Sequence, residues 1–288
     1  MNKTEQPKDV GIIGTSTFAL KLAMHFAAQG YKVSLVDDSI NELQEGLQRI
    51  AGWVEKNGKD GLFSGETRGD LLRRIEIGCA VERLSSSKMV IMGSPLSSSP
   101  DENTGELFRL LEAVIPPDRP IMTRLATPEL GEKIRSIFPN PSRVVPFVSF
   151  FESYLPHTWE LRRFNHTVPQ VMSICEETLH EVGFQSIQYS GERTTPLRRL
   201  FLKTLSECCT ILTQGNCEVD ELDYAFPLGA MGGLGCCFVA DLIGLETVLK
   251  LNDQADEILD KEALVLLAKY LKSDRLGVQS GEGFYLHG

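Results

Sequence analysis

The stretch Val10-Gly11-Ile12-Ile13-Gly14-Thr15-Ser16-Thr17-Phe18-Ala19-Leu20 constrains this chain more than any other, because an apolar strand runs straight into a glycine turn and a helix start. Helical spacing of Leu20, Leu22, Ala23, Phe26 and Ala27 stops at Gly30, and Lys32-Val33-Ser34-Leu35-Val36 reads as a second strand closing on Asp37. Together these predict a βαβ unit and a parallel sheet. In a G-x-G-x-x-G turn the first glycine makes the bend, the second lets the backbone meet a pyrophosphate, and the third lets helix pack on strand. Those places hold Gly14, Ser16 and Ala19. Alanine is accepted at the third place, whereas Ser16 puts a side chain where phosphates approach most closely. Asp37, 23 residues after Gly14, suits a hydrogen bond from an adenosine ribose and repels a 2′-phosphate, favouring NAD(H) over NADP(H). An α/β domain of another kind can also open on a glycine turn.

At 288 residues the chain has room for two ordinary domains. Its 42% hydrophobic and 24% charged content is that of a globular protein, and no apolar run approaches the roughly 18 residues that span a bilayer. The polar start Met1-Asn2-Lys3-Thr4-Glu5-Gln6-Pro7-Lys8 leads directly into the first strand, so the expectation is a cytoplasmic protein without a membrane segment. A net charge of −10 without a basic stripe argues against nucleic acid as a partner. The seven cysteines show no CxxC spacing, so reduced thiols are expected and no metal site.

After Asp37 comes a polar, helix-rich stretch from Ser39 to Arg74, read as a helical hairpin inserted between strands. Its turn carries Lys56 and Lys59, candidates for a phosphorylated substrate tail, although a solvated turn is the plainer reading. Strands are expected at 75–77, 88–93, 120–123, 143–151 and 185–189, alternating with helices near 107–114 and 168–182. That alternation predicts a Rossmann-like, doubly wound sheet. From Thr195 onward the spacing is helical only, at 197–214, 217–224, 236–251 and 260–273, so domains are expected at 1–193 and 194–288, the second all-α.

At its C-terminal end the chain resembles the L-3-hydroxyacyl-CoA dehydrogenase family. Ala240-Asp241-Leu242-Ile243-Gly244-Leu245-Glu246-Thr247-Val248-Leu249 resembles the family's "ADLIGLDTVL", and Leu276-Gly277-Val278-Gln279-Ser280-Gly281-Glu282-Gly283-Phe284-Tyr285 resembles "LGRKSGKGFY". Phe226-Pro227-Leu228-Gly229, the hairpin with its Lys56-Asn57-Gly58-Lys59 turn, and Val36-Asp37 also have counterparts. The resemblance implies an NAD domain whose hairpin helps hold coenzyme A, followed by a helical domain that forms a homodimer.

The family's catalytic positions carry over one at a time. Its "SNTSS" segment, whose serine contacts the substrate oxygen, matches Thr123-Arg124-Leu125-Ala126-Thr127, which puts Ala126 at the serine with Thr127 beside it. Its "HFFNP" segment, whose histidine is the general acid/base, matches Ser149-Phe150-Phe151-Glu152-Ser153, so Ser149 takes the histidine's place. The glutamate that orients that histidine corresponds to Glu160, and the asparagine of "GFIVNR" aligns with Arg198. A serine of ordinary acidity does not carry that proton near neutral pH. His157, between Ser149 and Glu160, is the candidate substitute, paired with Glu160 at i, i+3 if the segment is helical; a surface loop histidine is the alternative. Two functions stay open on these residues: hydride transfer between NAD and a 3-hydroxyacyl-CoA or related 3-hydroxy acid, or a catalytically inactive member that binds a nucleotide or acyl thioester or serves as a dimeric partner.

Overall fold

The computed structural model describes residues 8–57, 68–96, 102–125, 137–148, 155, 157–190, 194–229, 233–255 and 257–288. Eight strands form one sheet: β1 (Asp9–Ile13), β2 (Lys32–Val36), β3 (Ile75–Gly78), β4 (Met89–Leu96), β5 (Ile121–Leu125), β6 (Val144–Val148), β7 (Thr158–Arg162) and β8 (Gln185–Tyr189). Their order is β3-β2-β1-β4-β5-β6-β7-β8, and the ladders from β3 through β6 are all parallel. Strands β5 and β6 are buried at every residue, as expected of a parallel sheet covered on both faces. The order turns back on itself between β1 and β4, which makes the crevice at their carboxyl ends the natural ligand site.

Helix α1 (Thr17–Ala28) buries Leu20, Leu22, Ala23, Phe26 and Ala27, the stripe anticipated from their spacing, and Phe18 and Ala19 besides. It ends where Gly30, at φ +81°, turns the chain into β2. The inserted hairpin consists of α2 (Ile40–Asn57) and α3 (Arg68–Arg73). Helices α4 (Glu102–Val114) and α5 (Pro169–Glu181) supply the other crossovers, α5 opening on a proline whose missing N–H costs a first turn nothing.

Strand β7 corrects the helical segment proposed around Glu160. Thr158-Trp159-Glu160-Leu161-Arg162 alternates polar with apolar, the period of a strand, and residues 159–162 are buried on both faces. His157 lies in a bend just ahead of the strand, so the helical i, i+3 spacing to Glu160 does not apply.

The chain divides into two compact units, Met1–Leu155 with Leu161–Ser190, and Pro156–Glu160 with Gly191–Gly288. The second contains α6 (Pro196–Thr213), α7 (Val219–Ala225), α8 (Cys236–Ile243), α9 (Leu245–Asp253) and α10 (Lys261–Lys272). It also carries a two-residue antiparallel ladder, β9 (Pro227–Leu228) with β10 (Leu234–Gly235), that helical spacing does not announce. The single helix expected over 236–251 is two, because Gly244 at φ +90° breaks it between α8 and α9. Among the described residues, no helix is long and apolar enough to cross a membrane.

Candidate functional site

At the end of β1 the backbone of Gly14 lies at φ +105°, a region side chains disfavour, and its N–H donates to Val36 O at 2.8 Å, tying the carboxyl ends of β1 and β2 together. Ser16 is the N-cap of α1: Ala19 N donates to Ser16 Oγ at 3.2 Å, and Oγ donates to Gly93 O at 3.1 Å. Its hydroxyl is thus engaged with two backbone groups. Ala19 performs the packing role of the third fingerprint position, since a Cβ added to Gly93 of β4 would lie 2.4 Å from Ala19 Cβ.

A cavity of about 560 Å³ opens beside this turn, with Gly14, Asp37, Asp38, Cys79, Ser94 and Glu106 at its polar positions and Ile13, Val36, Val81, Met92, Leu107 and Leu110 as its apolar wall. This volume is in the range of small-ligand sites. Asp37 Oδ1 accepts from Ser39 N at 3.3 Å and Oδ2 from Thr15 Oγ1 at 3.2 Å; the same hydroxyl is 2.9 Å from Glu42 Oε2. Partial burial, and then the neighbouring Asp38, raise the Asp37 carboxyl above the usual carboxylate range, with the hydrogen bonds from Ser39 and Thr15 opposing them. Three carboxylates at one cavity suit a ribose diol, which donates, and disfavour a 2′-phosphate. A strained glycine turn, an apolar wall, the N-terminus of a 12-residue helix and an acidic ribose end fit NAD.

Glu160 belongs to the second unit and is fully buried. Its Oε2 accepts from Thr195 Oγ1 at 2.5 Å and its Oε1 from Leu197 N at 2.7 Å. Thr195 is in turn the N-cap of α6, with Arg198 N donating to Thr195 Oγ1 at 3.4 Å. The carboxylate therefore extends a helix cap. Burial raises its pKa to about 7, against the stabilising pull of Thr195, Leu197 and the charge of Arg198, itself 1% exposed. The aligned glutamate and asparagine positions, Glu160 and Arg198, thus come together, and the group they share is Thr195. Sequence reading passed over Thr195 although Thr-Pro at a helix start is a capping signature. Gly93, Ser94 and Glu106 were also missed, and nothing local to them marks a cavity.

Lys56 is exposed in the last turn of α2, and His157 is exposed just ahead of β7. Lys59, Thr127 and Ser149 lie outside the described residues.

Residues 9–192 match the model of the 3-hydroxyacyl-CoA dehydrogenase NAD binding domain, and residues 197–287 that of the 3-hydroxyacyl-CoA dehydrogenase C-terminal domain. A 3-hydroxybutyryl-CoA dehydrogenase of Bradyrhizobium diazoefficiens is 25% identical over 281 residues, covering 96% of this chain and 94% of the relative. A probable 3-hydroxybutyryl-CoA dehydrogenase of Bacillus subtilis is 22% identical over 289 residues, covering 96% of each. The crystal structure of (S)-3-hydroxybutyryl-CoA dehydrogenase from Ralstonia eutropha superposes with a TM-score of 0.75 at 20% identity, covering 98% of this chain and 99% of that one. The chain belongs to the 3-hydroxyacyl-CoA dehydrogenase family, with NAD as its cofactor.

Proposed function

We propose that this protein is an NAD(H)-dependent oxidoreductase acting on the 3-hydroxyl of an acyl-CoA or related 3-hydroxy acid, with proton transfer much weaker than the reaction ordinarily receives. The observation that carries this reading is the cavity at the β1–β4 crevice, where Gly14 and Asp37 meet in a chain matched end to end by dehydrogenases. NAD, when bound, accepts or returns the hydride. Asp37 receives the adenosine ribose, Gly14 makes the turn, and Ser16 and Ala19 open α1 beneath the phosphates. Lys56 and Lys59 are assigned to the coenzyme A tail, and Ser149 and Thr127 to the neighbourhood of the 3-oxygen. Glu160 and Arg198 hold the start of α6.

A second reading, a member that binds nucleotide and acyl thioester without turnover, is favoured by one observation. Each Glu160 oxygen accepts a hydrogen bond from the start of α6, which gives the carboxylate a structural role of its own. Titration with NADH followed by fluorescence, paired with a turnover assay on 3-hydroxybutyryl-CoA, separates the readings: binding with slow NADH formation supports the first, binding alone the second, and no binding removes both. The same proposal divides the chain near residue 193, places it in the cytoplasm and makes it a homodimer through the helices after Thr195. Tyr224, Phe226 and Leu286 are exposed apolar side chains of the second unit and support that association.

A further inference from the structure

The first turn of α2 has the sequence of a capping box and does not close it. Ser39-Ile40-Asn41-Glu42 is the Ser-x-x-Glu pattern, in which the serine hydroxyl accepts from the third helical N–H while the glutamate reaches back to the serine's own N–H. The first half is present, Glu42 N donating to Ser39 Oγ at 3.3 Å. The second half is diverted: Ser39 N donates to Asp37 Oδ1 at 3.3 Å, and the Glu42 carboxylate turns to Thr15, its Oε2 lying 2.9 Å from Thr15 Oγ1. Asp37 takes the donor that would otherwise hold Glu42 on its own helix.

Thr15 stands between Gly14 and Ser16 of the glycine turn, and its hydroxyl lies 3.2 Å from Asp37 Oδ2 as well. A hydroxyl carries a single proton, so it donates to one of these carboxylates at a time and leaves the other facing an oxygen. Two acceptors therefore share one donor at the Asp37 end of the cavity, Asp37 half-buried and Glu42 exposed. A vicinal diol brings two protons to a place that is one short.

We propose that Glu42 is a second ribose-recognition residue, which accepts one hydroxyl of the adenosine ribose while Asp37 accepts the other, and which shares with Asp37 the exclusion of a 2′-phosphate. The inference rests on the reading of this cavity as a dinucleotide site, and it names the residue that completes the choice of NAD over NADP. A 2′-phosphate replaces a donating hydroxyl with about two negative charges, so each carboxylate discriminates twice, gaining a donor from NAD and meeting a repulsion from NADP. The two carboxylates differ in weight. Asp37 is held by Ser39 N and binds the ribose firmly, whereas Glu42, exposed on the inserted hairpin, acts more through its charge than through its hydrogen bond.

The test is a fluorescence titration of the full chain with NADH and with NADPH, comparing the unmodified protein with Glu42→Gln, Glu42→Ala and Glu45→Gln, the last removing the same charge elsewhere on α2. Glu42→Gln, whose amide oxygen still accepts, is expected to bind NADH within about twofold of the unmodified protein and NADPH about tenfold more tightly, the weight of one screened charge pair. Glu42→Ala is expected to show the same gain for NADPH and a loss of about threefold for NADH, because the ribose loses an acceptor. Glu45→Gln is expected to move neither affinity by more than about twofold. Glu42 is exposed, so its substitution strands no buried group and the comparison is made on folded protein. An unchanged ratio of the two affinities in Glu42→Gln, an equal change in Glu45→Gln, or NADPH bound by the unmodified protein as tightly as NADH overturns the proposal and leaves the dinucleotide site standing. Failure of the unmodified protein to bind NADH overturns the site and the proposal together.

Discussion

Asp241 Oδ1 occupies the space that a side chain on Gly283 would take, since a Cβ there would sit 2.1 Å from that oxygen. The same carboxylate, fully buried, accepts from Phe284 N at 2.8 Å and Tyr285 N at 2.9 Å, with His287 Nε2 2.8 Å away. The two segments that carry the family resemblance are thus one physical unit: Asp241 of the first is the acceptor around which the glycine-rich second is folded. Gly283→Ala is expected to lower stability by about 1–3 kcal/mol through overpacking. Asp241→Ala is expected to cost at least as much, because it strands buried backbone donors worth roughly 1–3 kcal/mol each. Thermal unfolding checks both, and an unchanged Tm in Gly283→Ala removes the close-packing argument.

The nucleotide site offers a separable test. Asp37→Ala is expected to weaken NADH binding at least tenfold and to narrow the preference over NADPH, since the ribose loses its acceptor and the 2′-phosphate its repulsion. Ser16→Gly is expected to tighten NADH binding by opening the pyrophosphate approach. Its cost in stability is only a few tenths of a kcal/mol, glycine being a tolerable N-cap. Calorimetry giving Ser16→Gly and the unmodified protein the same affinity would sink the steric argument.

How legible these sites were follows from how local their causes are. Gly14, Gly30 and Asp37 could be placed because turn, cap and strand end are decided within a few residues, and they fall at the ends of β1, α1 and β2. Strand β7 is harder to read although Thr158-Trp159-Glu160-Leu161-Arg162 alternates polar with apolar, because a period-two run of five residues is short and its polar members are buried too. The break at Gly244 was hidden because a glycine inside an apolar run tells nothing of its φ. The Thr195–Glu160 bond joins residues 35 apart, and no spacing rule reaches that far. The resemblance could name Glu160, whereas only the fold could say what holds it.

Glu160 should leave a signature in the pH dependence of stability. Its pKa is raised from 4.5 to about 7 by burial, so the folded state binds its proton more tightly than the unfolded chain does. The stabilisation is fully present below about pH 4.5 and is lost as pH rises through about 7, amounting to on the order of 3 kcal/mol. Glu160→Gln, which cannot ionise, is expected to lose this slope between pH 5 and 8. Denaturant unfolding at several pH values checks it; parallel profiles for the two proteins would assign the slope to other groups.

A homodimer is expected at micromolar concentration. The chain mass is 32.0 kDa, so light scattering should report about twice that value, and a monomer would leave Tyr224 and Phe226, at 90% and 62% exposure, as unexplained surface. Tyr224→Glu with Phe226→Glu is expected to shift the mass toward the monomer without lowering NADH affinity.

Oxidation of L-3-hydroxybutyryl-CoA with NAD is expected to run several orders of magnitude below an ordinary dehydrogenase. Hydride loss from a secondary alcohol requires its proton to leave in the same step, and a positioned general base is typically worth about 10²–10⁴-fold. By the family resemblance Ser149 takes the place of that base and Ala126 that of the serine that contacts the 3-oxygen. His157 is exposed just ahead of β7, and Glu160 is held at the start of α6 by Thr195 and Leu197. His157→Ala is therefore expected to change the residual rate by less than about twofold, whereas Ser149→His should raise it by a part of that 10²–10⁴-fold. Collapse of the rate in His157→Ala, with an acidic limb near a histidine pKa of roughly 6.5, would make His157 the proton carrier after all. Robust NADH formation unaffected by both His157→Ala and Glu160→Ala would mean that the catalytic residues lie elsewhere in the chain.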